Sequence, residues 1–369
     1  MRRLVLALAL LPGLAVAQTD EERCASDTEA PDIAIGACTR LIESGKFGND
    51  WLSLHHFNRG ISHRQNRDYD LAIADFTRAI ALEPRDPKPL NSRGGIHFSH
   101  GRYEAAAQDY AKAAEVDPDW GVPLDNLGLA QMELGRLDLA LDSFNRALKT
   151  GANWPNPMMH RGEVHLRRKN YPEAIADFSR ALAIDPSQAY AYRGRGDALI
   201  ATRKYADAVK DFDEAVRYDP REPSGLIGRA IAHFLDGSAR KARKDVEAAS
   251  ALRPDDAWAM NRLCYQLAIH GEAKEAMPYC QRAVALKPDD ADILDSRGFA
   301  FLKLKRFKEA ADDYTDALSR NARHAYALYG RCLALKGLRR AEAEADCEDA
   351  LAMDPGAEAF FAAQGFKRR

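Results

Sequence analysis

The sequence predicts an all-α fold, a solenoid of stacked antiparallel helical hairpins, on three observations. From Ser53 onward the chain matches itself at a period of 34 residues. One small residue recurs without exception, as Ala72, Ala106, Ala140, Ala174, Ala208, Ala242, Ala276, Ala310 and Ala343. A proline closes most copies, as Pro84, Pro118, Pro186, Pro220, Pro254, Pro288 and Pro355, with Ala152 and Ala322 in the two gaps. Numbering the proline as position 32 puts the alanine at position 20 and counts nine units over residues 53–355. A chain of 369 residues otherwise suggests two or three globular domains, but a repeat this regular replaces that count with one array.

Ahead of the array, residues 1–17 read as a secretory leader. Arg2 and Arg3 form its positive head, Leu4 to Leu14 its apolar stretch, and Ala15-Val16-Ala17 a small-x-small cleavage site before Gln18. The apolar stretch is shorter than the roughly 20 residues that span a bilayer as a helix, and no second run of that length follows, so the mature chain is expected to have no transmembrane segment. No cysteine follows Ala17, which argues against a lipid anchor, and the arginine pair lacks the longer polar leader of twin-arginine export. The expected location is outside the cytoplasm, in the periplasm of a Gram-negative bacterium first and secreted second. Residues 18–52 are expected to form a degenerate capping unit holding Cys24 and Cys38.

Within each unit, apolar residues fall at helical spacing in two stretches parted by a turn such as His100-Gly101-Arg102 or Asp236-Gly237-Ser238, so each unit is a helical hairpin. Position 8 is small (Gly60, Gly94, Gly128, Gly162, Gly196, Ala230, Cys264, Gly298, Cys332) and position 24 is mostly Phe or Tyr. A small residue at 8 lets the second helix approach and admits the large side chain at 24. One hairpin cannot bury its apolar face alone, so neighbours must stack. The joint Gly151-Ala152-Asn153-Trp154-Pro155-Asn156-Pro157 is expected to end the second helix of the third unit early. After Pro355, residues 356–369 carry Phe360, Phe361 and Phe366 and are expected to cap the last unit with a helix and a basic tail.

Small residues at 8 and 20, an aromatic at 24 and proline at 32 resemble the tetratricopeptide repeat (TPR) over residues 53–355. The resemblance implies a right-handed superhelix whose concave side is lined by first helices. The units depart from the family at position 4, where Trp is absent, and at position 7, where Leu gives way to Arg in most copies.

Nine copies of one unit permit internal comparison. Position 7 is Arg59, Arg93, Arg161, Arg195, Arg229, Arg297 and Arg331, and position 23 in the same units is Asp75, Asp109, Asp177, Asp211, Asp245, Asp313 and Asp346. The two units with Leu127 and Leu263 carry Ser143 and Tyr279 instead. An ion pair inside each of seven hairpins is expected, worth on the order of 0 to 1 kcal/mol if half exposed. The alternative is an arginine ladder for an acidic ligand. Cysteine covaries too. Cys264 and Cys332 at position 8 accompany Cys280 and Cys347 at position 24, once a one-residue deletion near Arg340 is allowed for, and Cys38 aligns with position 24 of the leading unit, opposite Cys24. This register selects one of fifteen connectivities, three disulfides each closing about 15 residues. Zinc is the rival reading, weakened by the missing paired CxxC spacing.

Functional candidates are few. His63, His97, His165 and His233 share position 11, but successive copies sit a hairpin apart, around 10 Å or more, too far to share one metal ion. Semi-buried imidazoles standing in for tyrosine are the expectation. Phosphate loops, nucleophile elbows and HExxH helices are missing, so neither catalysis nor a cofactor is expected. Lys and Arg number 53 against 55 Asp and Glu, which lacks the basic excess of a nucleic-acid binder. The carboxylates are assigned to solvent-facing helix positions. Trp51, Trp120, Trp154 and Trp258 are expected to staple turns between units. The family's ligand-facing positions 2, 5, 6, 9 and 12 map onto Phe57, Asn58, Asn91, Asp125, Asn126, Met159, His160, Glu163, Arg193, Asp197, Asn261, Tyr265, Phe299 and Tyr329. Asparagines beside aromatics suit an extended peptide. The expected function is therefore an envelope scaffold that binds protein or peptide partners. The alternative is a regulatory subunit seating a small molecule or peptidoglycan fragment near Trp154.

Overall fold

The computed structural model describes residues 18–26, 28–151 and 153–366, and all regular secondary structure among them is helical. The expected leader and the basic end of the tail lie outside the described residues. The chain divides into two compact units, Met1–Val164 and His165–Arg369, with the division inside one helix.

The first unit opens with α1 (Asp20–Cys24) and α2 (Pro31–Glu43). Three hairpins follow: α3 (Asn49–Gln65) with α4 (Tyr69–Leu82), α5 (Pro87–Ser99) with α6 (Tyr103–Val116), and α7 (Gly121–Glu133) with α8 (Leu137–Lys149). The helix α9 (Asn156–Arg167) holds the division between units. Helix α8 stops one residue short of the 14 seen in α4 and α6, where Gly151 takes a φ of 79°.

The second unit continues with α10 (Tyr171–Ile184). Its hairpins are α11 (Ala189–Ala201) with α12 (Tyr205–Tyr218), α13 (Pro223–Leu235) with α14 (Ala239–Leu252), α15 (Ala257–Ile269) with α16 (Ala273–Leu286), α17 (Ala291–Lys303) with α18 (Phe307–Arg320), and α19 (Ala325–Gly337) with α20 (Ala343–Met353). A last helix, α21 (Gly356–Ala363), packs on α19 and α20.

Local chemistry sets the joints. Several first helices begin at carboxylate caps or prolines: Asp86 accepts from the Lys88 N–H at 3.0 Å, and Asp290 from those of Asp292 and Ile293 at 3.2 and 3.3 Å. Second helices end on an extended residue, such as Asp219 at φ −133° just before Pro220, because proline forbids the helical conformation to its predecessor. Every hairpin turn needs one residue at positive φ, and these recur at the repeat period: Arg67, Gly101, Gly135, Lys169, Arg203, Gly237, Gly271, Lys305 and Arg339. The next residue then donates back to the first helix, as Lys204 N–H does to Leu199 O at 2.8 Å.

The core is a repeated wedge. Phe212 is fully buried with its ring against both Gly196 in its own hairpin and Gly228 in the next; a Cβ on Gly196 would lie 2.8 Å from the ring. Phe76 and Gly60 repeat the intra-hairpin contact in the first unit. In α13–α14 Ala230 and Val246 stand where glycine and ring would be, and in two other hairpins sulfur takes the place of the wedge. Cys264 is bonded to Cys280 and Cys332 to Cys347, with Cα atoms 4.8 and 5.4 Å apart, while Cys24 is bonded to Cys38 at the front of the chain. These bonds use all six cysteines.

Candidate functional site

Two sets of side chains converge between helices: a charged seam inside the hairpins, and the outward positions of the first helices.

In the seam, Arg195 Nε and Nη2 donate to the two oxygens of Asp211 at 2.8 and 2.7 Å. The same two-bond fork joins Arg59 to Asp75, Arg93 to Asp109, Arg229 to Asp245, Arg297 to Asp313 and Arg331 to Asp346. Arg161 and Asp177 fall in different units. The former donates to Asn145 at 2.6 Å, and the latter lies 3.9 Å from His165. These aspartates are buried rather than half exposed, which corrects the expected energetics: a buried, doubly hydrogen-bonded carboxylate costs several kcal/mol if stripped of its partner. The remaining arginine nitrogen reaches the preceding hairpin. Nη1 donates to Thr39 from Arg59, Thr77 from Arg93, Ser179 from Arg195 and Asp213 from Arg229, at 2.8 to 3.0 Å. Each of these arginines therefore ties three helices together and has little left for a ligand.

The electrostatics follow from these partners. Burial pushes the Asp75 carboxyl up, but hydrogen bonds from Arg59 and His56 outweigh it and leave it below its ordinary value. Asp313 has the arginine without the histidine; there burial prevails and the carboxyl sits above its ordinary value. The position-11 histidines lie beside this seam, His63 and His97 with Nε2 3.9 and 4.0 Å from Asp75 and Asp109, too long for hydrogen bonds. Burial lowers the His97 and His233 values, which favours neutral imidazole.

The outward positions behave differently in the two units. In the first, Phe57 packs against Phe76 with ring centroids 5.8 Å apart, Asn58 is half-buried, and Asn126 donates to Asn91 at 2.9 Å. Asp125 is 4% exposed and bonds His160 Nδ1 at 2.9 Å, so it is not an accessible groove residue, correcting the expectation. Trp154 packs its ring against Gly121 with the indole N–H buried, and is core packing rather than a pocket wall.

In the second unit, first helices touch their next first helix from α11 through α19, while second helices make no comparable contacts with each other. Their side of the stack is therefore the tighter one. Asp197 on α11 pairs with Arg262 on α15, two hairpins away, and Arg193 lies 3.9 Å from Asp219. Tyr329 is 1% exposed, stacked on Phe361 of α21 and bonded through its hydroxyl to Glu358 at 3.3 Å. It is covered rather than ligand-facing, again a correction.

Between α15, α17 and the end of α19 lies a cavity of about 400 Å³. Helix α15 contributes Trp258, Asn261, Arg262 and Tyr265; α17 contributes Asp292, Asp295, Ser296 and Phe299. His324 and Tyr326 close one side, and Phe360 and Phe361 of α21 the base. Asn261 Oδ1 is buried without a hydrogen bond. Asp292 is bonded by His324 Nε2 at 3.2 Å, while His324 Nδ1 accepts from the Ala327 N–H at 3.1 Å, fixing the ring in its Nε2-protonated form. Asp295 has neither hydrogen bond nor ion pair among the described residues, and burial pushes it up to about 6, with Asp292 adding and His324 opposing. Burial likewise raises Tyr265 to about 12. The assignment of carboxylates to solvent thus fails at Asp295, which faces a cavity, and Trp258 is a cavity wall rather than a turn staple. No group of His, Cys, Asp and Glu suited to a metal ion occurs among the described residues. No helix there is long and apolar enough to cross a membrane.

Comparison with known proteins agrees with this architecture. The model of the tetratricopeptide repeat matches residues 57–123, 126–189 and 193–257, just over half of the chain. No curated protein sequence matches. Among solved structures, a tetratricopeptide repeat protein from Parabacteroides merdae superposes with a TM-score of 0.55 at 20% identity, over 68% of this chain and 99% of that one. PilW, described as a widely conserved type IV pilus biogenesis factor, superposes with a TM-score of 0.51 at 18% identity, over 55% and 94%. At those identities the likeness is one of fold. The repeat register, the helical hairpins and the family match together place the chain in the tetratricopeptide-repeat family.

Proposed function

We propose that this chain is an exported scaffold that binds protein or peptide partners along the outward positions of its first helices. The observation that carries the reading is the contrast in side-chain commitment. Seam arginines and second-helix aromatics are consumed by packing, whereas the first-helix side of the second unit keeps an open cavity, a carboxylate without a partner and an asparagine oxygen without a donor. Groups left unsatisfied beside accessible aromatics are what a partner can satisfy. In the first unit Asn58, Asn91, Asn126 and His160 continue the same series of positions. Export rests on the leader-like residues 1–17 and on the use of every cysteine in a disulfide, which an oxidising compartment sustains. Residues 18–52 and 356–369 serve as caps covering the apolar ends of the array.

The test is crosslinking in the intact cell envelope followed by mass spectrometry. A recurring protein partner, linked through first-helix residues, is the expected result. Crosslinks scattered over second helices with no recurring partner would end the proposal. The cavity also favours a second reading, a small-molecule-binding regulatory subunit, which predicts a ligand co-purifying with the chain and no protein partner.

A further inference from the structure

Resting on that reading, we infer that the cavity between α15 and α17 receives a lysine or arginine side chain from an extended segment of the partner. Charge comes first. Among the lining residues Asp292 and Asp295 face a single arginine, Arg262, which is already paired with Asp197 of α11, and the Nε2-protonated ring of His324 adds no charge. The walls are therefore net negative, and Asp295 sits among aromatic rings without the cation that would offset its burial. Shape and surface come second. Trp258, Tyr265 and Tyr326 offer ring faces over the buried Phe299, and aromatic faces attract ammonium and guanidinium groups while packing on their methylene stems. Trp258 already does this within the chain: Lys287 Nζ lies 5.3 Å from its ring centre, and the side chain is still 48% exposed. Polarity comes third, because the buried Asn261 Oδ1 lacks a donor, and a lysine ammonium or arginine guanidinium supplies several. An acidic side chain would meet the unpaired carboxylate of Asp295, and a neutral aliphatic one would leave Asp295 and Asn261 unsatisfied. A side chain rather than a folded surface fits, since the space holds a single chain of that size.

The test uses the oxidised full-length mature chain and a set of short extended alanine-glycine peptides, identical but for one central residue: lysine, arginine, acetyl-lysine, norleucine or glutamate. Calorimetric titration is expected to rank lysine and arginine at least about tenfold tighter than acetyl-lysine and norleucine, with glutamate weakest. Asp295→Asn should erase the preference for the cations by weakening lysine and arginine, while norleucine binds at least as tightly as to the parent. It should also be no less stable than the parent at pH 7.5, since it removes a half-buried carboxylate that has no partner. Equal affinity for lysine and norleucine, no measurable binding of any peptide at millimolar concentration, or an undiminished cation preference in Asp295→Asn would each overturn the inference. The two proposals fail separately. Protein crosslinks without cation selectivity would retire the inference alone, and cation selectivity without any protein partner in the envelope would retire the scaffold.

Discussion

The hairpins α11–α12 and α15–α16 stand 68 residues apart in the same repeat position, yet they are held shut by different chemistry. In the first, the Phe212 ring fills the space that Gly196 and Gly228 leave, and the Arg195–Asp211 fork fixes the register. In the second, Leu263 and Tyr279 stand where the fork would be, and the Cys264–Cys280 bond replaces both ring and glycine. A third solution, α7–α8, keeps its ring, Phe144 against Gly128, and loses the fork: Leu127 replaces the arginine, and Ser143 donates to Gln131 at 2.7 Å. The hairpin α19–α20 carries both fork and disulfide. Ring, fork and disulfide are thus separable devices serving one geometry, and the backbone tolerates any combination that fills the contact and leaves no charge alone.

Breaking the ring should have the largest effect. Phe212→Ala empties a contact shared by two hairpins and should cost about 3–5 kcal/mol, read as a fall in urea midpoint. Next comes the disulfide. Cys264→Ala should lower stability by about 3 kcal/mol under oxidising conditions and leave the reduced protein nearly unchanged; equal losses in both states would remove the bridge from the account. The fork sharpens the comparison further. Asp211→Ala alone strands Arg195 and should cost about 2–3 kcal/mol, whereas Arg195→Leu with Asp211→Ser, copying the pair found in α7–α8, should cost less than either single change. The smallest effect belongs to the turns. Lys305 sits at φ 59°, a conformation that glycine adopts freely, so Lys305→Gly should stabilise by about 0.5–1 kcal/mol, and a loss there would mean the lysine makes contacts that outweigh its backbone strain.

Much of this architecture is legible in the sequence alone. Helix limits follow from the prolines and the invariant alanines, because each marks a place where the chain must turn or two helices must touch. The Arg–Asp register was legible because Leu127 and Leu263 lose their partners together. The third helix in that seam was missed, although its signal was present: Thr39, Thr77, Ser179 and Asp213, the Nη1 acceptors, are all small and polar and all sit at position 25 of the hairpin before an arginine, while Ala111 precedes Leu127. The cavity escaped for a different reason. Its walls come from two repeats and from α21, which lies outside the period, so no comparison of repeats with one another could assemble it. Asp295 occupies one of the outward positions but sits among many solvated carboxylates in the sequence, and Tyr329 shares position 5 with Asn261 and Asp295 of the cavity yet is covered by α21, which lies outside the period.

The central claim is that the first helices grip and the second helices support. A photoreactive residue placed at Asn261, on the cavity wall, and separately at Glu247, exposed on the second helix α14, tests it in the native envelope. The account predicts a discrete crosslinked partner from position 261 and none from position 247. The same partner captured equally from both positions, or from position 247 alone, would contradict it.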